Sequence, residues 1–425
     1  MNPLYTAGIA LYGGAARMAS IGSPKVRHML HGQSETLRRI IAFRQRIAPD
    51  GFDVWFHAAS LGEFEQARPI IDTLLERNPA LSILLSFFSP SGYEVRCDYH
   101  PRVAVVYLPF DMPSRVDAFL NAAKPHMAIF VKYEFWGNYL EKLKHRGIPT
   151  YIISAIFRPT QRFFKPWGGT FRRMLTNFEH LYVQDERSRR LLASIGINNV
   201  TVAGDTRFDR VTAIRKSCRP IPEIEAFLGE KEDRPFTIVF GSSWERDEDV
   251  YIPWLKDNPD AKAIIAPHEF DKNRLASMRR RLGSEQTILF SDFKQIYERS
   301  PREAAEVAHK LKYVIIDCFG LLSSLYSYAD TAYVGGGFGA GIHNINEAAT
   351  YGIPVLFGPR HAKFKEAADL IDCGGAFCIH SSEEFRTAID PLLDEKTRKK
   401  AGKAAGDYIA ANIGASDRIM ADIFP

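Results

Sequence analysis

From residue 53 onward the chain alternates short, β-rich apolar runs with longer amphipathic ones, and it does so in two series. The first series reads DVWFHAA (53–59), LSILLSF (81–87), VAVVYL (103–108), HMAIFV (126–131), TYIISA (150–155) and HLYVQ (180–184). Helical patterns such as EFEQARPIIDTLLERN (63–78) and FWGNYLEKLKHRG (135–147) lie between these runs. Strands that are apolar on both faces and alternate with helices need a helix layer on each side, which makes the sheet parallel. Charge and proline then crowd residues 212–235, the best linker in the chain. The second series reads FTIVFG (236–241), AKAIIAP (261–267), QTILF (286–290), YVIID (313–317), TAYVGG (331–336) and IPVLFG (353–358). The expected fold is α/β: two Rossmann-like domains facing a cleft, with ligands collecting at the carboxyl edges of the sheets.

Composition agrees with a globular chain of two or three domains: 425 residues, 46% hydrophobic and 25% charged. The longest apolar runs, such as MAIFV (127–131), fall far short of the roughly 20 residues of a spanning helix, which excludes a polytopic membrane protein. The five cysteines are scattered with no CxxC pair, so reduced thiols are expected and a zinc site is not. The net charge is +5, and residues 1–50 carry all of it, with seven Lys/Arg against two Asp/Glu. A second basic stretch, 142–178, has eight Lys/Arg and no acid, and interleaves them with Phe and Trp around Arg158 and Arg162. Such a stretch suits nucleic acid, anionic lipid headgroups or plain solvation. The amino terminus lacks the charge order and cleavage site of a signal peptide. Its mildly apolar segment 4–21 reads as an interfacial helix or an ordinary surface helix.

Four motifs sit where a strand runs into a helix. In HAASLGEFEQARP (57–69), Gly62 lets a backbone approach a ligand, and Glu63 stands at the strand's carboxyl end. A carboxylate there can take a proton from a hydroxyl, although a first-turn Glu also complements the helix dipole. VKYEFWGN (131–138) puts Glu134 at a second strand end. In VFGSSWERDEDV (239–250), Ser242 and Ser243 either receive a phosphate or cap the helix. The most specific is YVGGGFGAGIHNINEAATYGIPVLFGPRH (333–361), with five glycines in positions 335–341, among them Gly337, Gly339 and Gly341. More glycine than packing requires is expected to make a backbone cradle for phosphate or sugar. Glu347 follows Asn344 by three residues, a spacing that suits a ribose diol contact or a capping pair. Arg207 and His268 are lone candidates for a phosphate.

Taken in order, HAASLGE (57–63), FFSPSGYE (87–94), YLPFDMP (107–113), KYEFWGN (132–138), AGDTRFD (203–209), GSSWERDE (241–248) and the 335–359 stretch resemble the motif series of the Kdo transferases. That family moves 3-deoxy-D-manno-octulosonic acid (Kdo) from CMP-Kdo to a lipid A precursor. The resemblance spans about residues 50–380. It implies a glycosyltransferase-B fold with a carboxyl-terminal helix crossing back to the first domain. The expected divisions are a basic, membrane-associated segment 1–50, an acceptor domain 51–211, a linker 212–235, a CMP-Kdo domain 236–405 and the returning helix 406–425. Glu63 corresponds to the family's catalytic base. Gly62, Glu134, Arg158 and Arg162 fall on the acceptor side. Arg207, Ser242, Ser243, His268, Gly337, Gly339, Gly341, Asn344 and Glu347 fall on the donor side. Lys132 replaces the first glutamate of the family's Glu-Thr-Glu motif. Trp244 stands at the family's histidine of Ser-Thr-His-Glu, and His268 at an arginine.

The expected partners are CMP-Kdo, a lipid A precursor and an anionic membrane surface, with no nucleic acid, no metal and no resident cofactor. The expected place is the cytoplasmic face of the inner membrane, held peripherally or weakly anchored through the amino terminus. The expected reaction is an inverting displacement with Glu63 as base. A UDP-sugar-dependent lipid glycosyltransferase of the same fold and a non-catalytic nucleotide-sugar binding protein are the alternatives.

Overall fold

The computed structural model describes residues 3–230 and 234–425, which divide into two compact units: 3–210 with 413–425, and 211–412 without 231–233. The first unit holds strands β1 (Val54–Ala58), β2 (Ile83–Phe87), β3 (Val103–Tyr107), β4 (Ala128–Val131), β5 (Thr150–Ala155), β6 (His180–Val183) and β7 (Val200–Val202). They form one parallel sheet in the order β3-β2-β1-β4-β5-β6-β7. The second unit holds β8 (Thr237–Ser243), β9 (Lys262–Pro267), β10 (Thr287–Leu289), β11 (Tyr313–Ile315), β12 (Thr331–Val334), β13 (Val355–Phe357) and β14 (Ala376–Cys378). Its sheet is also parallel, in the order β10-β11-β9-β8-β12-β13-β14. All twelve strands read from the sequence are present. The two that periodicity missed, β7 and β14, are edge strands that are only partly buried, so they write no continuous apolar run.

Every residue of β1, β2 and β3 is buried, which is why these runs are continuously apolar. Trp55 shows the packing of one sheet face: its ring lies 4.9 Å from Phe119, 5.3 Å from Phe130 and 5.6 Å from Tyr139. The chain order reverses between β1 and β4 in the first sheet and between β8 and β12 in the second. At such a switch point the two following connections leave in opposite directions and open a crevice at the carboxyl ends. The motifs at 57–69 and 131–138 flank the first crevice, and those at 239–250 and 333–361 flank the second.

Two expected boundaries move. Residues 212–235 are not a bare linker, because the helix Thr206–Ser217 runs through the division at Arg210 and the helix Pro222–Leu228 follows. Ile224, Phe227 and Leu228 are buried there, so the second unit starts before its first strand. The return to the first unit comes at 413, not 406, since Glu395–Asn412 is one helix of the second unit. Gly414 turns with φ +92°, and the helix Ala415–Ile423 begins. Asp209 caps it, accepting from the amides of Gly414 at 2.5 Å and Ser416 at 2.7 Å. Ile419, Met420 and Ile423 are buried in the same core as Phe64 and Ile70.

The amino-terminal segment forms the helix Pro3–Ala19, then Pro24–Ile47 with Ser23 as its cap. Among the described residues no helix is long and apolar enough to cross a membrane. Thr36 anchors the second helix by donating to the Tyr107 carbonyl at 2.8 Å.

Candidate active site

In the first unit, Ser60 adopts extended backbone and Glu63 falls in the first turn of the helix Leu61–Arg77. Its Oε2 accepts from the Ala59 amide at 2.6 Å, so the side chain folds back over the end of β1. A side chain at Gly62 would meet nothing within 4 Å, so packing does not require that glycine, and its absence of bulk leaves the helix entrance open. The exit of β4 brings up a second carboxylate. Lys132 takes φ +64°, a conformation L residues rarely hold, and the chain then turns to present Glu134. Among the described residues, three of the four non-glycine positive-φ positions (Lys132, Ser154 and Ser242) lie in or just past the carboxyl-terminal end of a strand. Strain concentrated at that edge marks it as the working edge of each sheet.

Glu134 is buried and held from two sides. Trp136 donates its indole N–H to Oε2 at 2.6 Å, and His57 Nε2 stands 3.1 Å from the same oxygen. His57, wholly buried in β1, is fixed at its other nitrogen by Ser86, with Oγ at 2.9 Å and the carbonyl at 3.0 Å. A proton on Nε2 lets the ring donate to the carboxylate. The sequence reading missed His57. Its signal is a lone polar side chain in an otherwise apolar strand.

Burial pushes the Glu63 carboxyl up to about 7, and the Glu134 carboxylate adds to the rise. The Ala59 amide, Lys132 and the Ser60 amide pull the other way. Glu63 is thus poised to gain or lose a proton near neutrality.

Tyr133 ties further residues to this neighbourhood, since its hydroxyl feels Arg158, Arg207, Glu63 and Asp205. Arg158 and Arg162 are exposed, and Arg162 lies over the Phe171 ring at 5.3 Å. Arg207, expected on the donor side, belongs to the first unit and grips Asp205 through Nε at 2.9 Å and Nη2 at 2.7 Å. Asp205 in turn accepts from Gln66 at 3.0 Å.

In the second unit, a cavity of about 730 Å³ opens at the ends of β8, β9 and β12. Of the expected donor residues, Ser243, His268, Gly339 and Gly341 line it. Ser242, Gly337, Asn344 and Glu347 do not. The glycine run is more structural than expected. At Gly337 a Cβ would come 2.5 Å from the Gly358 backbone, so packing alone demands that glycine. Gly336 has φ +93°, and its Cβ would come 2.4 Å from the Gly341 carbonyl. Glu347 is engaged locally, accepting from Ser323 at 2.5 Å and from the Asn344 amide at 3.1 Å.

Three rings that the sequence reading did not connect form one wall. Trp244 stacks on His268 at 4.6 Å, and His268 stacks on His343 at 4.4 Å. Trp244 donates to His343 Nε2 at 3.2 Å. Burial, aided by His268, pushes His343 down to about 4, so it stays neutral and accepts. The loop itself is pinned by Asp247, whose oxygens accept from the Trp244 amide at 2.9 Å, the Gly336 amide at 2.9 Å and the Tyr333 hydroxyl at 2.8 Å. Among the described residues no group of three or more His, Cys, Asp or Glu stands placed to hold a metal ion.

The model of a family described as 3-deoxy-D-manno-octulosonic-acid transferase (kdotransferase) matches residues 27–210. A Bordetella pertussis protein named 3-deoxy-D-manno-octulosonic acid transferase is 28% identical over 394 residues, covering 88% of this chain and 87% of that one. A Haemophilus influenzae protein of the same name is 26% identical over 416 residues, covering 95% and 92%. Among solved structures, a putative UDP-N-acetylglucosamine 2-epimerase from Listeria monocytogenes superposes with a TM-score of 0.58 at 13% identity, covering 88% of this chain and 96% of that one. That likeness extends to the fold alone.

Proposed function

We propose that this chain, whose residues 27–210 match the model of the 3-deoxy-D-manno-octulosonic-acid transferase family and which is 28% and 26% identical to two proteins of that name, moves Kdo from CMP-Kdo to a sugar hydroxyl of a lipid A precursor, with Glu63 as the base. The observation that carries the reading is Glu63 itself: a half-buried carboxyl at the end of β1, with its proton affinity pushed up to about 7. A base tuned near the working pH couples the right protonation state to a real driving force for proton transfer.

In the proposed step Glu63 takes the proton of the acceptor hydroxyl. The oxygen attacks the anomeric carbon of Kdo as the bond from that carbon to the phosphate oxygen breaks. CMP leaves with the electron pair, and the configuration inverts. Charge at the sugar in the transition state is oxocarbenium-like, by analogy with glycoside cleavage. His57 and Trp136 hold the Glu134 carboxylate in place, and that charge keeps Glu63 basic. Arg207 is the cation proposed for the departing phosphate, and the cavity walled by Trp244, His268 and His343 is proposed to take the nucleotide. Arg158 and Arg162 are proposed to meet the acceptor's phosphates. The chain is proposed to act at the cytoplasmic face of the inner membrane. Its basic amino-terminal segment would rest on anionic lipid, each such residue contributing about 1 kcal/mol.

The test is to incubate the protein with CMP-Kdo and a tetraacylated lipid A precursor and weigh the product. A mass gain of one or more Kdo units supports the reading. Transfer from a UDP-sugar instead, with UDP outcompeting CMP for the protein, would replace it with the related lipid glycosyltransferase. CMP binding without any product would make the chain a sensor.

A further inference from the structure

A second cavity, of about 450 Å³, lies wholly in the first unit, where the helices Pro3–Ala19, Pro24–Ile47 and Pro113–Ala123 meet the turn after β3. Its volume is within the range of small-molecule sites. Leu30, Leu37 and Phe110 give it an apolar wall, and Arg17 and Arg115 bring two cations, the Arg115 guanidinium lying 5.9 Å over the Phe110 ring. Gln33 completes it. This side chain is 8% exposed, yet neither its Nε2 nor its Oε1 has a hydrogen-bond partner. A buried amide with both ends unmatched is rare in native proteins, because its desolvation goes uncompensated. An amide that both donates and accepts, beside two guanidinium groups and an aliphatic wall, is complementary to a phosphoryl headgroup and the ester and first methylenes of an acyl chain.

The surroundings indicate where such a molecule comes from. Leu4, Leu11 and Met18 recur every seven residues along the helix Pro3–Ala19, so they share one face, and they are 81%, 76% and 71% exposed. Ile21, just beyond, is 82% exposed. An apolar stripe beside a segment that carries the whole +5 charge of the chain suits the boundary of an anionic bilayer. Of the two acids in residues 1–50, Glu35 is paired with Arg38 and neither lines the cavity.

We propose that this cavity seats the headgroup and initial acyl methylenes of one anionic phospholipid drawn from the membrane on which the Leu4, Leu11 and Met18 face rests. The proposal depends on the membrane-surface reading above and adds a specific seat to it.

The full chain is titrated with dihexanoylphosphatidylglycerol kept below its micelle concentration, and binding is read by calorimetry and native mass spectrometry. One lipid per chain is expected. The choline analogue should bind at least about fivefold more weakly, and inorganic phosphate should not saturate the site. Gln33→Leu keeps volume and removes an unmatched amide, so the protein should melt no lower while its affinity for the lipid falls about tenfold. Arg115→Ala should lower affinity about fivefold. Unchanged affinity in both variants overturns the proposal, as does equal saturation by phosphate alone or binding that never levels at one lipid. If vesicles of phosphatidylglycerol are bound but the monomeric lipid is not, the surface reading survives and the seat does not. If the lipid A precursor displaces the glycerol lipid and shows the same dependence on Gln33, the seat belongs to the acceptor and the phospholipid proposal fails.

Discussion

Glu63 and Asp247 occupy the same place in their two units. Each is the third residue of the first helix after the first strand, and each accepts from the backbone amide of the residue just before that helix, Ser60 or Trp244. Burial raises the proton affinity of both. Their remaining surroundings differ. Asp247 is wholly buried and has both oxygens engaged, by the Gly336 amide, the Tyr333 hydroxyl and the Trp244 amide. Glu63 is half-exposed, faces the charge of Glu134, and is tied mainly to one amide. A position in the fold therefore does not assign a role. What distinguishes the two is hydrogen-bonding capacity left for a substrate, together with a neighbour that makes the proton worth exchanging. This contrast supports the proposed chemical role of Glu63, while Asp247 is a clamp on the glycine loop.

The comparison breaks most readily on turnover. Glu63→Gln keeps the shape and the amide contact but cannot take a proton. It should lower kcat by at least about 100-fold, in line with general-base contributions of about 10²–10⁴, with circular dichroism unchanged. A Glu63→Gln enzyme within tenfold of the parent would sink the assignment. Asp247→Ala should act the other way round, on stability first. Removing it strands the Gly336 and Trp244 amides and the Tyr333 hydroxyl, a loss of about 3 kcal/mol that denaturant unfolding of the whole chain would register. If Asp247→Ala unfolds like the parent yet fails to turn over, the two carboxylates have been given each other's roles.

This contrast also marks how far the sequence could be read. The twelve strands read from the sequence were legible because their burial writes an apolar run that needs no neighbour to interpret it. Glu63 and Glu134 were legible because each follows such a run at the point where a helix begins. Their meeting was not, since Glu134 is reached from His57 across 77 positions of chain. The same holds for the wall of Trp244, His268 and His343, assembled from the segments that follow three different strands. The glycine run misled in one respect. Crowding against Gly358, which only the folded backbone reveals, accounts for Gly337 without any ligand. The Arg207 cation is legible in the sequence, whereas its grip on Asp205, two residues away, is set by the folded backbone.

Two smaller effects sharpen the role of Glu134. The folded Glu63 carboxyl holds its proton up to about 7, against 4.5 for an ordinary one. Between those values the native state binds more protons than the unfolded chain. Glu63 thus adds nothing against stability below about pH 4.5, and it progressively costs stability as pH rises through 7. Allowing for partial solvent access, the cost is about 1–3 kcal/mol at pH 8. Glu63→Gln should remove it, so the variant should gain on the parent in urea unfolding at pH 8 but not at pH 4.5. A constant difference at both values would mean that Glu63 is not perturbed in the folded chain.

Glu134→Gln separates burial from charge. Burial is the larger cause of the Glu63 shift and survives the substitution, while the Coulombic part is lost. The acid limb of the kcat profile should therefore move from near 7 toward, but not to, the ordinary carboxylate range. His57 and Trp136 should still hold the new amide, because its carbonyl can accept where the carboxylate did. An acid limb that stays near 7 would assign the whole shift to burial. Glu134 would then be left as an acceptor contact, and the first unit would differ from the second only in how open its carboxylate lies.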